Sequence, residues 1–223
     1  MTYPDDYINK VICGDCLEVM KGIPDESVNA VITDPPYGFN RFEGDNPETF
    51  MKLIKQAFKE IKRILKRGSW VFVFSGTGQI KNILNNIDLD FQRLLWIYKP
   101  ADCTYPYRGW LLKSETIALF TKGKPQPLLE RKPYQHDCYI YTRVGLEGVE
   151  GHPTVKPLNI MGDLCSRVND IILDPFLGSG TTAVACKQLN RRFIGIEINP
   201  EYCKIAEKRL KAIPESLFNN EVV

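Results

Sequence analysis

The chain has 223 residues, of which 43% are apolar and 25% charged, and its formal net charge is +2. This length predicts a single domain, residues 1–223, and the near-balanced charge neither demands nor excludes nucleic acid as a partner. Because no apolar run could span a bilayer and Met1 to Lys10 lacks a secretory signal, we expect a cytoplasmic protein with no membrane contact.

Strands and helices alternate along most of the chain. The apolar pattern predicts strands at 10–13, 28–33, 70–74, 91–98, 116–120, 171–173 and 193–196. It predicts helices at 17–21, 47–67, 79–86, 157–168, 181–189 and 200–213. This alternation indicates an α/β fold, with a mostly parallel sheet and helices on both faces.

Cysteine chemistry is limited by what accompanies it. Cys13 and Cys16 form one C-x-x-C, but the chain has only two histidines and no second C-x-x-C, so we expect no metal site. A thioredoxin-like redox pair is the less favoured alternative; we interpret Cys13 as strand core and Cys16 as the start of a helix. The seven cysteines are expected to be reduced thiols.

One segment, residues 121–151, departs from the alternation. It contains three prolines and no sustained period, with tyrosines between basic residues. Basic and aromatic side chains on a loop suit phosphate contacts and base stacking, although a long surface loop is an equal alternative. We interpret it as a candidate small target-recognition insertion within the domain.

Asp34-Pro35-Pro36-Tyr37 follows a buried strand directly. The prolines stiffen the turn and leave their carbonyls free to accept hydrogen bonds. An acid, these carbonyls and an aromatic ring suit a planar group that carries an NH2. An ordinary Asp-Pro turn beside a core tyrosine is the alternative.

A second predicted strand, residues 171–173, is followed by a small-residue loop and the start of a helix. The sequence there is Asp174-Pro175-Phe176-Leu177-Gly178-Ser179-Gly180-Thr181-Thr182. The glycines permit close backbone approach, and the following helix N-terminus suits a carboxylate. The next strand ends in Glu197, which can accept the hydroxyls of a ribose. Gly178, Gly180 and Ala183, followed by Glu197, also match a dinucleotide fingerprint. However, Asp174 would repel a pyrophosphate and attract an ammonium. The acids therefore favour S-adenosylmethionine over a nicotinamide cofactor.

Together these two motifs resemble those of the amino-DNA methyltransferases, which methylate N6 of adenine or N4 of cytosine. The catalytic motif precedes the cofactor motif, which is similar to the permuted β class. The resemblance covers about residues 10–210, including Gly14-Asp15-Cys16, Ser114-Glu115-Thr116 and His152-Pro153-Thr154-Val155-Lys156-Pro157. It implies a Rossmann-like class I methyltransferase fold in a circularly permuted motif order.

The resemblance also implies roles for individual residues. Asp34 and Pro35, with Pro36 and Tyr37, would bind the exocyclic amine of a flipped base, on which Tyr37 would stack. Cofactor-binding residues would be Asp15, Cys16, Asp34, Thr154, Lys156, Asp174, Phe176, Gly178, Ser179, Gly180, Thr181 and Glu197. Among these, Thr154 and Lys156 could reach the methionine carboxylate.

The expected substrate is double-stranded DNA, with N6 of adenine favoured because Asp rather than Ser precedes Pro-Pro-Tyr. Methylation of cytosine N4 is the first alternative. A catalytically inactive DNA-binding protein on the same fold is the second, and an RNA base or protein amide as substrate is a weaker one. A homodimer and a restriction endonuclease partner are further expectations.

Overall fold

A computed structural model describes residues 1–36, 47–100, 106–107, 110–129, 136–141 and 155–214. Tyr37 and Thr154 lie outside the described residues, as does much of the predicted recognition segment 121–151. Among the described residues, no helix has both the length and the apolar character needed to cross a membrane.

Ten strands and six helices are described. The strands are β1 (Lys10–Cys13), β2 (Val28–Thr33), β3 (Leu65–Gly76), β4 (Asp90–Tyr98), β5 (Pro106–Tyr107), β6 (Trp110–Leu111), β7 (Ser114–Thr121), β8 (Cys138–Ile140), β9 (Ile172–Asp174) and β10 (Phe193–Glu197). The helices are α1 (Cys16–Met20), α2 (Pro47–Ile64), α3 (Ile80–Asn86), α4 (Leu158–Ser166), α5 (Thr181–Gln188) and α6 (Pro200–Lys211).

Eight of these strands form one sheet in the order β1-β10-β9-β2-β3-β7-β4-β8. Among them, β7 runs antiparallel to both of its neighbours, and the other described pairings are parallel. The strands β5 and β6 pair separately. The predicted α/β fold with a mostly parallel sheet is therefore confirmed.

Two apolar cores cover the two faces of the sheet. On one face, Met20 of α1, Phe58 of α2 and Ile83 of α3 pack in a cluster with sheet residues. On the other, Leu164 of α4, Ala183 of α5 and Ala206 of α6 do the same. The helices thus lie on both sides of the sheet, and the carboxyl ends of its parallel strands remain available for a site.

Helix boundaries follow local chemistry. Asp15 caps α1 by accepting a hydrogen bond from Leu17 N, and Asn199 caps α6 immediately before Pro200. The predicted helix 47–67 ends earlier, at Ile64, because Leu65 already belongs to β3. Cys13 is exposed and not a core residue, so that interpretation was wrong.

Candidate active site

The two motifs meet at the carboxyl edge of the sheet, because β2 and β9 are neighbouring parallel strands. Thr33, the last residue of β2, donates a hydrogen bond from Oγ1 to Asp174 Oδ1 over 2.8 Å. These residues are 141 positions apart in the sequence. The bond therefore joins the residue directly before the catalytic motif to the first residue of the glycine-rich motif.

Asp174 is buried beneath the glycine-rich loop. Besides Thr33, Thr182 Oγ1 donates to its Oδ2 over 2.6 Å, and Phe176 N donates to its Oδ1 over 3.1 Å. Burial raises the pKa of Asp174 to about 7 against the effect of these three donors, and the charge of Asp34 adds to the rise. Asp174 thus fixes the loop to β2; its predicted contact with the methionine ammonium stays a prediction.

The loop itself requires its glycines. Gly178 has φ +55° and Gly180 has φ +86°, which is left-handed backbone that favours glycine. A Cβ on Gly180 would lie 2.6 Å from Ala206 Cβ and 3.0 Å from Ala206 Cα. Sequence reasoning attributed this glycine to ligand approach, whereas the structure shows that it also lets α6 pack against the loop. Ser179 and Thr181 are buried here, and Phe176 is half-buried.

Glu197 lies at the end of β10 and holds two backbone groups. Gly178 N donates to its Oε2 over 2.7 Å, and Asn199 N donates to its Oε1 over 2.8 Å. A carboxylate has about four lone-pair sites, so Glu197 can still accept ribose hydroxyls. The glycine loop and this acid are therefore locked together.

Asp15 and Cys16 lie beside Glu197, because Cys13 of β1 pairs with Glu197. Asp15 is exposed, and its Oδ1 accepts the hydrogen bond of Leu17 N over 2.8 Å. Cys16 is buried; burial, with the charge of Asp15, raises its pKa to about 12. It is thus a neutral packing thiol at physiological pH.

Arg209 of α6 is a contributor that sequence reasoning missed. Its Nη1 donates to the Ser179 carbonyl oxygen over 2.6 Å, to Ser179 Oγ over 3.2 Å and to Thr181 Oγ1 over 3.1 Å. A basic residue in the last turn of a helix has an ordinary explanation in the helix dipole, so the sequence carried no signal for this contact.

Asp34 also belongs to a second group of charged side chains, which we call the lysine–carboxylate cluster. Its members are Asp34, Lys99, Glu115 and Lys156. Lys156 Nζ is 2.6 Å from Asp34 Oδ2 and 3.9 Å from Glu115 Oε2, and Lys99 Nζ is 2.7 Å from Glu115 Oε1. The sequence pattern predicts no role for Glu115. The contact of Lys156 with the cofactor remains a prediction.

The arrangement fits the predicted cofactor by the chemistry of its donors and acceptors. Glu197, Asp15 and Asp174 come together at one sheet edge beside a glycine loop. Such acids match the hydroxyl, amine and ammonium groups of S-adenosylmethionine. Sheet order, helices on both faces and this edge site define a class I methyltransferase fold.

Comparison with known proteins gives the family. The family model described as "DNA methylase", for N6 and N4 methyltransferases, matches residues 28–208. The chain therefore belongs to the DNA methylase family, as the resemblance implied.

Individual relatives agree with this assignment. The DNA adenine methyltransferase YhdJ of Escherichia coli is 28% identical over 90% of this chain and 82% of that protein. The crystal structure of an M1.HpyAVI–SAM complex has a TM-score of 0.72 and 28% identity, covering 90% of this chain and 98% of that one. PvuII DNA methyltransferase, cytosine-N4-specific, has a TM-score of 0.77 at 18% identity, covering 97% and 91%, and supports the fold alone. S-adenosylmethionine as the cofactor is confirmed by these comparisons.

Proposed function

We propose that this DNA methyltransferase acts on N6 of adenine in double-stranded DNA. The observation that carries the proposal is the environment of Asp34: its carboxylate accepts a nitrogen donor, Lys156 Nζ, over 2.6 Å. An exocyclic amine requires the same contact. Asp rather than Ser at this position and the adenine specificity named for YhdJ favour adenine over cytosine.

In the proposed reaction the target base is flipped from the duplex, which costs a few kcal/mol. Tyr37 stacks on the base, and such stacking contributes ~1–3 kcal/mol. Asp34 Oδ and the Pro35 carbonyl accept the two amine hydrogens, which orients the nitrogen lone pair. Pro35 is buried, so the turn that carries both acceptors is held rigidly.

S-adenosylmethionine supplies an electrophilic methyl group. We propose that Glu197 holds its ribose, Asp15 its adenine amine, and Asp174 with Phe176, Gly178, Ser179, Gly180 and Thr181 its methionine end. Cys16 contributes packing beside the adenine, and Thr154 remains a predicted contact. The amine nitrogen would form the new N–C bond as the C–S bond breaks. S-adenosylhomocysteine would leave, and the nitrogen would release one proton to the solvent.

Residues 121–151 are proposed as the target-recognition insertion, since its basic and aromatic composition suits DNA. The single-domain organisation, a homodimer, a restriction endonuclease partner and a cytoplasmic location stay predictions.

The product nucleoside tests the proposal. The protein is incubated with methyl-labelled S-adenosylmethionine and unmethylated DNA, and the digested DNA is analysed by mass spectrometry. N6-methyladenine is the expected product. N4-methylcytosine would contradict the adenine assignment, and tight DNA binding without any product would favour an inactive DNA-binding protein.

The role of Asp34 has its own test. We expect Asp34→Ala to lower the transfer rate at least ~10²-fold, because a preorganised acceptor is lost. Cofactor affinity should stay nearly unchanged. Asp25→Ala is the matched control. Asp25 is an exposed acid that precedes the start of β2, whereas Asp34 follows its end, and Asp25 forms an ion pair with Arg63. A large loss of cofactor affinity in Asp34→Ala would place Asp34 in the wrong part of the site.

A further inference from the structure

Within the described part of the chain, one buried acceptor of the lysine–carboxylate cluster has no hydrogen bond. Glu115 Oε2 is buried and accepts no hydrogen bond from the part of the chain that the structure describes. Its other oxygen, Oε1, is held by Lys99 Nζ over 2.7 Å. Leaving a buried charged oxygen unsatisfied costs free energy, so this atom requires an explanation.

Lys156 is placed between two carboxylates. Its Nζ lies 2.6 Å from Asp34 Oδ2 but 3.9 Å from Glu115 Oε2, which is too long for a hydrogen bond. The ammonium also lies over the Phe74 ring, 5.7 Å from its centroid, on the end of β3. A movement of ~1 Å would bring the same nitrogen to hydrogen-bond distance from Glu115.

We propose that Lys156 is a positioning residue that moves between these carboxylates during the reaction cycle. Before substrate binds, it holds Asp34. When the amine of the flipped base binds Asp34, Lys156 moves to Glu115 Oε2. The inference rests on the proposed function, in which Asp34 accepts the amine. The ammonium remains protonated throughout, so no proton is exchanged and no covalent bond forms.

Both positions of the lysine have a physical basis. In the free protein, Lys156 orients Asp34 and compensates its charge. Once the amine arrives, the ammonium would compete for the same acceptor. Burial alone would raise the pKa of Glu115, but the charges of Lys156 and Lys99 hold it below its usual range. Glu115 is therefore ionised at neutral pH and can compensate the charge of the displaced lysine.

A double-mutant cycle tests the movement. The variants are Glu115→Gln, Lys156→Met and the two combined, and the ligand is a DNA duplex carrying the modification site mapped on methylated plasmid. Affinity is measured with S-adenosylhomocysteine present, so that no turnover is needed. We expect Glu115→Gln to weaken DNA binding about tenfold, because the lysine then stays on Asp34. Adding Lys156→Met should restore most of that loss.

Two results would overturn the inference. Additive losses in the double variant would mean that Glu115 does not act through Lys156. A loss of cofactor affinity of about tenfold or more in Lys156→Met, measured by titration with S-adenosylmethionine, would place the lysine on the cofactor instead. Both variants that carry Glu115→Gln lack the same carboxylate. If DNA affinity recovers in the double variant, the loss in the Glu115→Gln variant therefore cannot be a folding artefact.

The control is Lys62→Met. Lys62 pairs with Asp88 over 2.7 Å at the opposite end of the sheet, next to the starts of β3 and β4. The Lys62→Met substitution should leave DNA affinity unchanged.

Failure of the proposed function is read separately, from the product of the unmodified protein. N4-methylcytosine would refute adenine specificity, yet the cycle would still be decided on the cytosine site, whose amine needs the same acceptor.

Discussion

Replacing Gly180 by alanine should disrupt the packing of the glycine-rich loop against α6. The added Cβ would lie 2.6 Å from Ala206 Cβ and 3.0 Å from Ala206 Cα, and the second atom is helix backbone that cannot rotate away. Overpacking of this kind costs ~1–3 kcal/mol. The left-handed φ of +86° adds ~1–2 kcal/mol for a residue with a Cβ. Allowing for the lower entropy of the unfolded chain, we expect Gly180→Ala to lose ~2–4 kcal/mol of unfolding free energy.

Urea denaturation, followed by circular dichroism, measures this loss. Gly162→Ala is the matched control, because Gly162 lies within α4. Apart from its chain neighbours and the backbone of its own helix, a Cβ there would meet nothing within 4 Å. It should gain ~0.5–1 kcal/mol, as an interior helical glycine does on replacement by alanine.

A compensating substitution separates the two causes. Ala206→Gly removes the atom that would collide but costs ~1 kcal/mol of helix propensity. In the Gly180→Ala/Ala206→Gly variant the steric part of the loss should disappear and the backbone strain should remain. Calorimetric titration with S-adenosylmethionine should show that the single variant Gly180→Ala binds the cofactor more weakly than the unmodified protein does. Stability equal to that of the unmodified protein, or simple additivity of the two substitutions, would refute the packing argument.

Two further predictions concern buried polar groups of the site. Burial raises the pKa of Asp174 from 3.8 to about 7. The stability that this group contributes to the fold is therefore fully present below pH 3.8 and is lost as the pH rises to about 7. The loss amounts to ~4 kcal/mol of unfolding free energy. Urea titrations across this range should show a weaker decline in Asp174→Asn; an unchanged pH profile would refute the assignment. Arg209→Met should lower stability by ~1–3 kcal/mol and weaken cofactor binding, because a buried carbonyl loses its donor. Arg192→Met, which breaks an exposed pair with Asp170, should cost at most ~1 kcal/mol, and equal losses in thermal melts would argue against a special role for Arg209.

Much of the fold followed from patterns within short stretches of sequence. The apolar run 28–33 and the spaced apolar residues of α2 report burial directly, and the strand β2 has the predicted bounds. Asp34 and Asp174 could be predicted as neighbours because both follow strands whose carboxyl ends share an edge.

What remained hidden depends on contacts between distant segments. Nothing near Arg209 in sequence indicates that it reaches Ser179, and nothing near Glu115 indicates two lysines from other elements. The short strand β8 escaped prediction because its three residues are too few to show a period, and it is formed by pairing with β4.

The strand order has a consequence for biosynthesis. The first two strands, β1 and β2, are separated in the sheet by β10 and β9, which come from the last third of the chain. During translation the native sheet can therefore be completed only after residues 172–197 have left the ribosome and can insert between the early strands. Such distant pairings close large loops and slow folding. A nascent chain stopped before β9 has Asp34 but none of the glycine-rich loop, so methyl transfer can begin only after the residues up to Glu197 have been synthesised.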